Sequence, residues 1–186
     1  MVRKLPFRYF ALIVLGFSLV ACSKTFERTE PVGQSFPRVK ATGLTGEEVT
    51  IPDLFRDNLV VLFIGYVQDA QFDVDRWLLG LKQLKTPVEV AEIPTIQGFV
   101  PGLFASRIDQ GMRNGIPEED WKIVFTVYKD ASEIARFFGN EKPRNVRVAL
   151  LDQAGKVLWF HDRGFSADRA IELDKLIRNL KGQPKN

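Results

Sequence analysis

The two residue types best suited to nucleophilic or metal chemistry each occur once in this sequence, as Cys22 and His161. A single cysteine excludes a disulfide within the chain, and a single histidine argues against a His-rich zinc site. Because adjacent strand residues point to opposite faces, His161 and Asp162 do not suit an acid–base pair. The carboxylates of residues 118–120 could bind a cation or could begin a charged helix before Trp121. We therefore predict no catalytic residue, no metal and no cofactor.

Cys22 stands at the end of a segment typical of secretion. Three positive residues, Arg3, Lys4 and Arg8, precede an apolar run over residues 9–20, which is the order of a secretory signal. The run has about a dozen residues, whereas a helix that crosses a bilayer needs about 20. A signal peptide therefore explains the segment better than a transmembrane helix does.

The residues Leu19-Val20-Ala21-Cys22 resemble the lipobox of bacterial lipoproteins. The resemblance implies that residues 1–21 are a signal peptide and that Cys22 carries lipid on its thiol and an acyl group on its new amino terminus. Two or more acyl chains hold a protein firmly at a membrane. The alternative is an ordinary signal peptide followed by an unrelated cysteine. The resemblance implies the bacterial cell envelope, and Ser23 in place of aspartate favours the periplasmic face of the outer membrane in a Gram-negative cell.

Removal of the signal peptide also removes the excess of positive charge. The full chain has 26 Lys and Arg against 23 Asp and Glu, and the three surplus positive residues all lie in the signal. The mature chain therefore has a formal net charge of zero. This balance gives no support for a nucleic-acid partner.

The rest of the chain divides into a tether and one domain. Residues 22–33 are mostly polar or charged, and we predict a short lipidated tether exposed to solvent. Residues 34–182 are enough for one domain with a sizeable core. Apolar, β-branched runs in this domain predict strands, in a hairpin around residues 44–51 and at residues 59–67, 88–93, 122–128, 146–151 and 156–160.

Four helices are predicted among these strands. The first begins near Asp69, places Phe72, Trp77 and Leu81 near helical spacing, and ends before Pro87. The other three are predicted at residues 102–114, at residues 130–138 and from residue 166 onward.

The predicted order of elements specifies a fold class. Asp130 is predicted to cap the third helix and Gly139 to end it. The order β-α-β-α-β-α-β-β-α predicts an α/β fold, a mixed sheet with helices on both faces. The final antiparallel hairpin followed by a helix is the pattern of the thioredoxin-like fold.

Two short segments at the start of the domain carry a family resemblance. Residues 33–37 (GQSFP) and 44–46 (LTG) resemble the opening of peroxiredoxin-like and membrane-anchored thioredoxin-like domains. In that redoxin superfamily a Cys-x-x-Cys pair follows the first central strand, and a cis-proline precedes the hairpin strand. Here residues 68–71 are Gln, Asp, Ala and Gln, and Val146 stands at the proline position. Since thiol–disulfide exchange needs a thiolate, we predict the fold without its redox cysteines.

A second resemblance lies in the later half of the chain. Residues 110–117 (QGMRNGIP) and 152–159 (DQAGKVLW) resemble the "ATP ten" family of mitochondrial ATP synthase assembly factors. Members of that family help to assemble the membrane sector of the synthase, so the resemblance implies a chaperone-like or assembly role. The lipobox departs from the mitochondrial setting, and the partner is therefore left open.

Two groups of residues are candidate partner-binding surfaces. Gln68, Asp69 and Gln71 occupy the position where redoxins bind their substrates; the alternative is a helix N-cap and its solvated first turn. Met112 and Arg113 are residue types favoured at interfaces.

For the second group there is also a purely structural interpretation. Met112 and Arg113 could simply form the end of a helix, with Arg113 near the negative end of its dipole and Gly115 ending it in a left-handed conformation.

These observations favour a membrane-anchored, non-redox binding or assembly module with an unidentified protein partner. The alternative is a diverged redoxin enzyme, either independent of thiols or using an unlipidated Cys22 as its nucleophile. A third hypothesis is a purely structural lipoprotein of the envelope.

The lipobox makes a direct prediction about the mature protein. Mass spectrometry of the purified protein is expected to show a chain that begins at Cys22 and carries a lipid adduct there, because the thiol accepts the diacylglyceryl group. A free thiol at Cys22 would contradict the predicted anchor.

Overall fold

The computed structural model describes residues 24–98 and 102–182. The predicted signal peptide and the predicted lipidation site, Cys22, lie outside these residues. In the described chain, seven strands are β1 (Val39–Gly43), β2 (Glu48–Ile51), β3 (Val60–Gly65), β4 (Glu89–Pro94), β5 (Phe125–Thr126), β6 (Arg147–Leu151) and β7 (Val157–His161). Four α-helices are α1 (Gln71–Leu84), α2 (Gly102–Gly115), α3 (Ala131–Phe138) and α4 (Ala167–Gly182).

The central sheet has the strand order β4-β3-β6-β7. β3 is apolar on both faces, pairs in parallel with β4 and pairs antiparallel with β6. On one face its side chains pack against α3, and on the other they pack against α1 and α4. The predicted mixed sheet with helices on both faces is confirmed, as is the antiparallel hairpin of β6 and β7.

A smaller sheet has the order β2-β1-β5. Isolated parallel bridges from Glu92 to Val124 and from Thr95 to Val127 connect its β5 region with β4. The strand predicted at residues 122–128 is therefore much shorter than expected. The chain before it, Glu118–Ile123, forms a 3-10 helix in which the amide of Asp120 donates to the carbonyl of Pro117.

Phe72 of the first helix faces water instead of the core. Val74, Trp77 and Leu81 are buried on one side of α1, whereas Phe72 is 71% exposed. Phe72 precedes Val74 by two positions, which places it about 200° around the helix. Its predicted place on the apolar face is therefore wrong, and Asp73 faces inward beside Val74.

The predicted helix ends agree with the structure in one case of three. Gly139 follows α3 with φ of +77°, a conformation that favours glycine. Asp130 occupies the N-cap position, but its carboxylate accepts a hydrogen bond from the amide of Lys40 (2.8 Å) and does not cap the helix. Gly115 is the last residue of α2 without a positive φ, so the predicted left-handed stop is wrong.

Residues 24–33, named here the N-terminal strap, lie along the domain without regular secondary structure. The amide of Phe26 donates to Oδ1 of Asn140 (2.7 Å), and the amide of Gly33 donates to the carbonyl of Val157 (2.8 Å). The predicted tether is thus largely exposed, as expected, but it is bonded to the domain over its described length.

Gly139 is expected to be essential for the packing of the strap. A Cβ at this position would lie 2.5 Å from the carbonyl oxygen of Glu27 and 2.6 Å from Cα of Arg28. We expect Gly139→Ala to lower the free energy of unfolding by about 2 kcal/mol, because it adds this clash to an unfavourable φ. Urea denaturation measures the change.

The matched control is Gly111→Ala, at a helical position with open space around it. This change should raise the free energy of unfolding by about 0.8 kcal/mol through helix propensity. Equal effects of the two substitutions would contradict the strap packing.

Candidate functional site

The candidate site lies at one end of the central sheet, where parallel β3 and β4 finish and antiparallel β6 begins. The amide of Thr95 donates to the carbonyl of Gly65 (2.8 Å), which fixes the two strand ends to each other. Three segments meet here, and we call them together the site edge: residues 65–72, 94–98 and 139–147.

The structure brings the first predicted group to this edge. Gln68 and Asp69 lie in an exposed 3-10 helix, and Asp69 forms an ion pair with Arg144 across the edge (3.3 Å). Gln71 begins α1 and donates through Nε2 to Asp75 (3.0 Å) and to Glu92 (3.3 Å). None of the three side chains caps a helix, so the N-cap part of the alternative interpretation is wrong. All three are exposed at the start of α1, so its other part, a solvated first turn, agrees with the structure.

Two exposed apolar side chains accompany these polar residues. Val67 is 42% exposed and Phe72 is 71% exposed. Both lie within four residues of Gln68, and Phe72 is in the first turn of α1. Sequence reasoning missed them, although the poor match of Phe72 to the spacing of Val74 and Trp77 was a usable signal.

The floor of the site edge is a buried guanidinium. Arg147 is 3% exposed, lies 4.9 Å from the ring centre of Tyr66 and donates through Nη1 to the carbonyls of Lys142 and Asn145 (both 2.7 Å). Burial lowers the pKa of Arg147 and raises the pKa of the Tyr66 hydroxyl. These two residues occupy the space under the loop that leads into β6, and no local pattern in the sequence indicates their pairing.

A buried carboxylate holds α1 against the same loop. Asp73 accepts hydrogen bonds from the amides of Val146 (3.0 Å) and Phe165 (2.6 Å). Val146 is the residue at the predicted cis-proline position, while the cis peptide bond found among the described residues joins Ile51 and Pro52. A side chain of α1 therefore fixes the start of β6.

Glu92 is a second buried carboxylate near the site. It lies on β4, and Gln71 donates to its carboxylate. Burial raises the pKa of Glu92; the hydrogen bond from Gln71 opposes this, and the negative charges of Asp75 and Asp120 add to it.

The second predicted group lies away from the site edge. The Nε of Arg113 donates to the carbonyl of Leu44 (2.8 Å), and its guanidinium carbon is 5.9 Å from the ring centre of Trp121. Met112 Sδ contacts Oγ1 of Thr126 at 4.0 Å. Both side chains are half-buried and engaged within the chain, and the residues that they contact here, Leu44, Trp121 and Thr126, do not belong to the site edge.

Neither the lone histidine nor any acidic cluster forms a metal centre in the described part of the chain. His161 Nε2 lies 2.9 Å from the carbonyl of Gly164, whereas the carboxylate of Asp162 binds Arg28. Within residues 24–98 and 102–182, no three His, Cys, Asp or Glu residues are placed to hold a metal ion.

Comparisons with known proteins report fold similarity and no family. A scan of protein-family models and a search of curated proteins each find no match. Among solved structures, a SCO1/SenC family lipoprotein from Bacillus anthracis is 12% identical, with a TM-score of 0.57 over 83% of this chain and 99% of that one. A member of the Sco family of cytochrome c oxidase assembly proteins is 14% identical, with a TM-score of 0.55 over 82% and 98%.

A third structural neighbour is the thioredoxin domain of a thiol-disulfide oxidoreductase from Bacteroides vulgatus, which is 16% identical with a TM-score of 0.51 over 80% and 99% of the two chains. The fold is thioredoxin-like. At these identities the likeness concerns the fold alone, and the resemblance to the ATP ten family stays a prediction.

Among residues 24–98 and 102–182, no helix is long and apolar enough to span a bilayer.

Glu92 makes a prediction about pH. Because its pKa is raised by folding, the folded protein holds this proton more tightly than the unfolded chain, and stability falls as the pH rises from the ordinary glutamate pKa through the raised one. Glu92→Gln should therefore increase the free energy of unfolding at about pH 7 more than at about pH 4. Urea denaturation at both pH values measures this difference.

Glu89→Gln is the matched control, since Glu89 lies on the same strand and is exposed. It should change stability little at either pH. A Glu92→Gln effect that is independent of pH would show that ionisation of Glu92 does not oppose folding.

Proposed function

We propose that this chain is a membrane-anchored, non-redox thioredoxin-like lipoprotein that acts as a protein-binding or complex-assembly module. The observation that carries the proposal is the exposed patch of Val67, Gln68, Asp69 and Phe72 at the site edge. By the redoxin resemblance, this is where the thiols of the superfamily stand. We name it the edge patch.

The chemistry of the edge patch favours binding over catalysis. Its side chains are apolar, amide or carboxylate groups, none of which can replace a thiolate in disulfide exchange. The Asp69–Arg144 ion pair is exposed, so it suits partner recognition more than fold stability.

The layout of the edge patch resembles the centre and rim of a protein interface. Phe72 supplies a large exposed aromatic surface. Gln68 and Asp69 precede it by three or four residues, Arg144 pairs with Asp69, and all three carry groups that can form hydrogen bonds. Protein interfaces are enriched in aromatic residues and arginine at the core and have a polar rim. The rigid support from Arg147 and Asp73 would limit the entropy lost on binding.

An assembly role is consistent with the names of similar folds and with the sequence resemblance. One structural neighbour belongs to a family of cytochrome c oxidase assembly proteins, and another is a lipoprotein. The ATP ten resemblance points to the same class of role, with ATP synthase as the client in that family. An outer-membrane location would separate this chain from such a client, so the partner is proposed only as a protein.

The alternative is a diverged redoxin enzyme, which the thiol-disulfide oxidoreductase among the neighbours favours. Such an enzyme would be independent of thiols or would use an unlipidated Cys22, because the sequence contains no other cysteine. A free Cys22 thiol together with peroxide-reducing activity would overturn the binding proposal.

A charge placed in the edge patch should abolish partner binding. We expect Phe72→Glu to reduce co-purification of the partner from solubilised membranes by roughly tenfold or more, because it removes an aromatic anchor and buries a charge at the interface. Quantitative mass spectrometry of proteins bound to each variant measures the change.

Leu54→Glu is the matched control. Leu54 is 46% exposed and lies after β2, away from the site edge. Since both substitutions act on exposed side chains, neither should unfold the domain. An unchanged set of bound proteins with Phe72→Glu would reject the edge patch as the interface.

A further inference from the structure

The N-terminal strap begins at the same edge as the proposed binding patch. The carbonyl of Lys24 accepts hydrogen bonds from Nδ2 of Asn140 (3.0 Å) and from Nε2 of Gln97 (3.3 Å). Gln97 follows the end of β4, and Asn140 opens the loop that leads into β6. The first described residue of the chain is therefore fixed to two of the three segments of the site edge.

Several contacts prevent this part of the strap from moving freely. Asn140 is buried and forms two hydrogen bonds with Phe26. Its side-chain Oδ1 accepts from the backbone amide of Phe26 (2.7 Å), and its backbone amide donates to the carbonyl of Phe26 (3.0 Å). Further along, the Nε of Arg28 donates to the buried carboxylate of Asp162 (2.7 Å). The strap is consequently a fixed part of the domain and not a flexible linker.

The position of Lys24 limits the distance between the site edge and a lipid on Cys22. Lys24 is two positions after Cys22 in the sequence, and even a fully extended chain spans at most about 3.6 Å per residue, or about 7 Å over this distance. The acyl chains of an anchored Cys22 lie in the membrane. The part of the site edge that binds Lys24 would then lie within about 7 Å of the lipid headgroups. The opposite end of the sheet would face away from the membrane.

We infer that the N-terminal strap holds the domain with its edge patch towards the membrane surface, and that the partner is an integral membrane protein exposed at the level of the headgroups. This inference rests on the proposed lipid anchor and names the partner class of the proposed interface. A protein that stays far from the bilayer could not reach the patch in this orientation.

The balance of charge at the site edge argues for a protein partner over the lipid surface alone. Binding to anionic headgroups relies on an excess of Lys and Arg, each contributing about 1 kcal/mol. Within the site edge, the exposed acidic residues Asp69 and Glu141 match the exposed basic residues Lys142 and Arg144. The exposed Phe72 and Val67 are thus set among mixed charges, as in a protein interface.

The test uses the full-length lipidated protein in native membranes with a photo-crosslinker at one of two positions. Phe72→p-benzoylphenylalanine places the probe in the edge patch, and Leu54→p-benzoylphenylalanine places it away from the site edge. We expect irradiation to join position 72, and not position 54, to a protein that only detergent extracts from the membrane. Mass spectrometry identifies the chemical class of each adduct.

A longer tether provides the second variant without altering the folded domain. A Gly-Ser insert of about 12 residues between Ser23 and Lys24 spans about 20 Å on average. It should reduce the adduct from position 72 by roughly fivefold, because the patch no longer stays at the headgroup level. An adduct that is unaffected by the insert would overturn the role of the strap.

The remaining outcomes separate this inference from the proposed function. Adducts of position 72 with phospholipid alone, or with a soluble protein, would overturn the partner class; the soluble adduct would leave the binding module intact. Equal adducts from positions 54 and 72 would overturn the orientation. The proposed function itself would be rejected if position 72 formed no protein adduct and the Phe72→Glu variant still co-purified with every partner of the original protein.

Discussion

The structure depends on the burial of β3 on both of its faces. A strand made of Val60 through Ile64 exposes apolar side chains alternately to each side of the sheet, so a single covering layer would leave half of them in water. Burying each such side chain contributes about 1.5–3 kcal/mol. Helix α3 covers one face and helices α1 and α4 cover the other. The end of β3 therefore lies between the helix layer on one face of the sheet and the helix layer on the other, and the candidate site is at this end.

The same constraint explains which features the sequence could predict. Local periodicity and turn residues predict β3, the β6–β7 hairpin and the four helices, because in these elements the pattern of buried residues appears over a few neighbouring positions. The predicted length of β5 is too great because the apolar residues of this segment form only a two-residue pairing with β1 and isolated bridges to β4. Apolar composition alone does not distinguish those roles.

The contacts that build the candidate site were beyond prediction for a different reason. Asp73 binds amides 73 and 92 residues away, and Asn140 binds the strap across 114 residues. A polar side chain does not indicate which distant partner it will bind, so Asp73 and Arg147 gave no signal in the sequence. Gln68, Asp69 and Gln71 could be placed because their position after β3 follows from the strand itself.

The buried polar groups around the edge give it a rigid backbone. A nucleophile needs a particular atom with a particular pKa, whereas a binding surface needs only a rigid backbone and suitable exposed groups. Asp73 supplies two of the hydrogen bonds that hold α1 to the start of β6, and the Arg147–Tyr66 pair fills the space below the loop. These contacts hold the shape of the edge without any contribution from the side chains of residues 68–70, and the hydrogen bonds of Lys24 to Asn140 and Gln97 attach the strap to the same edge.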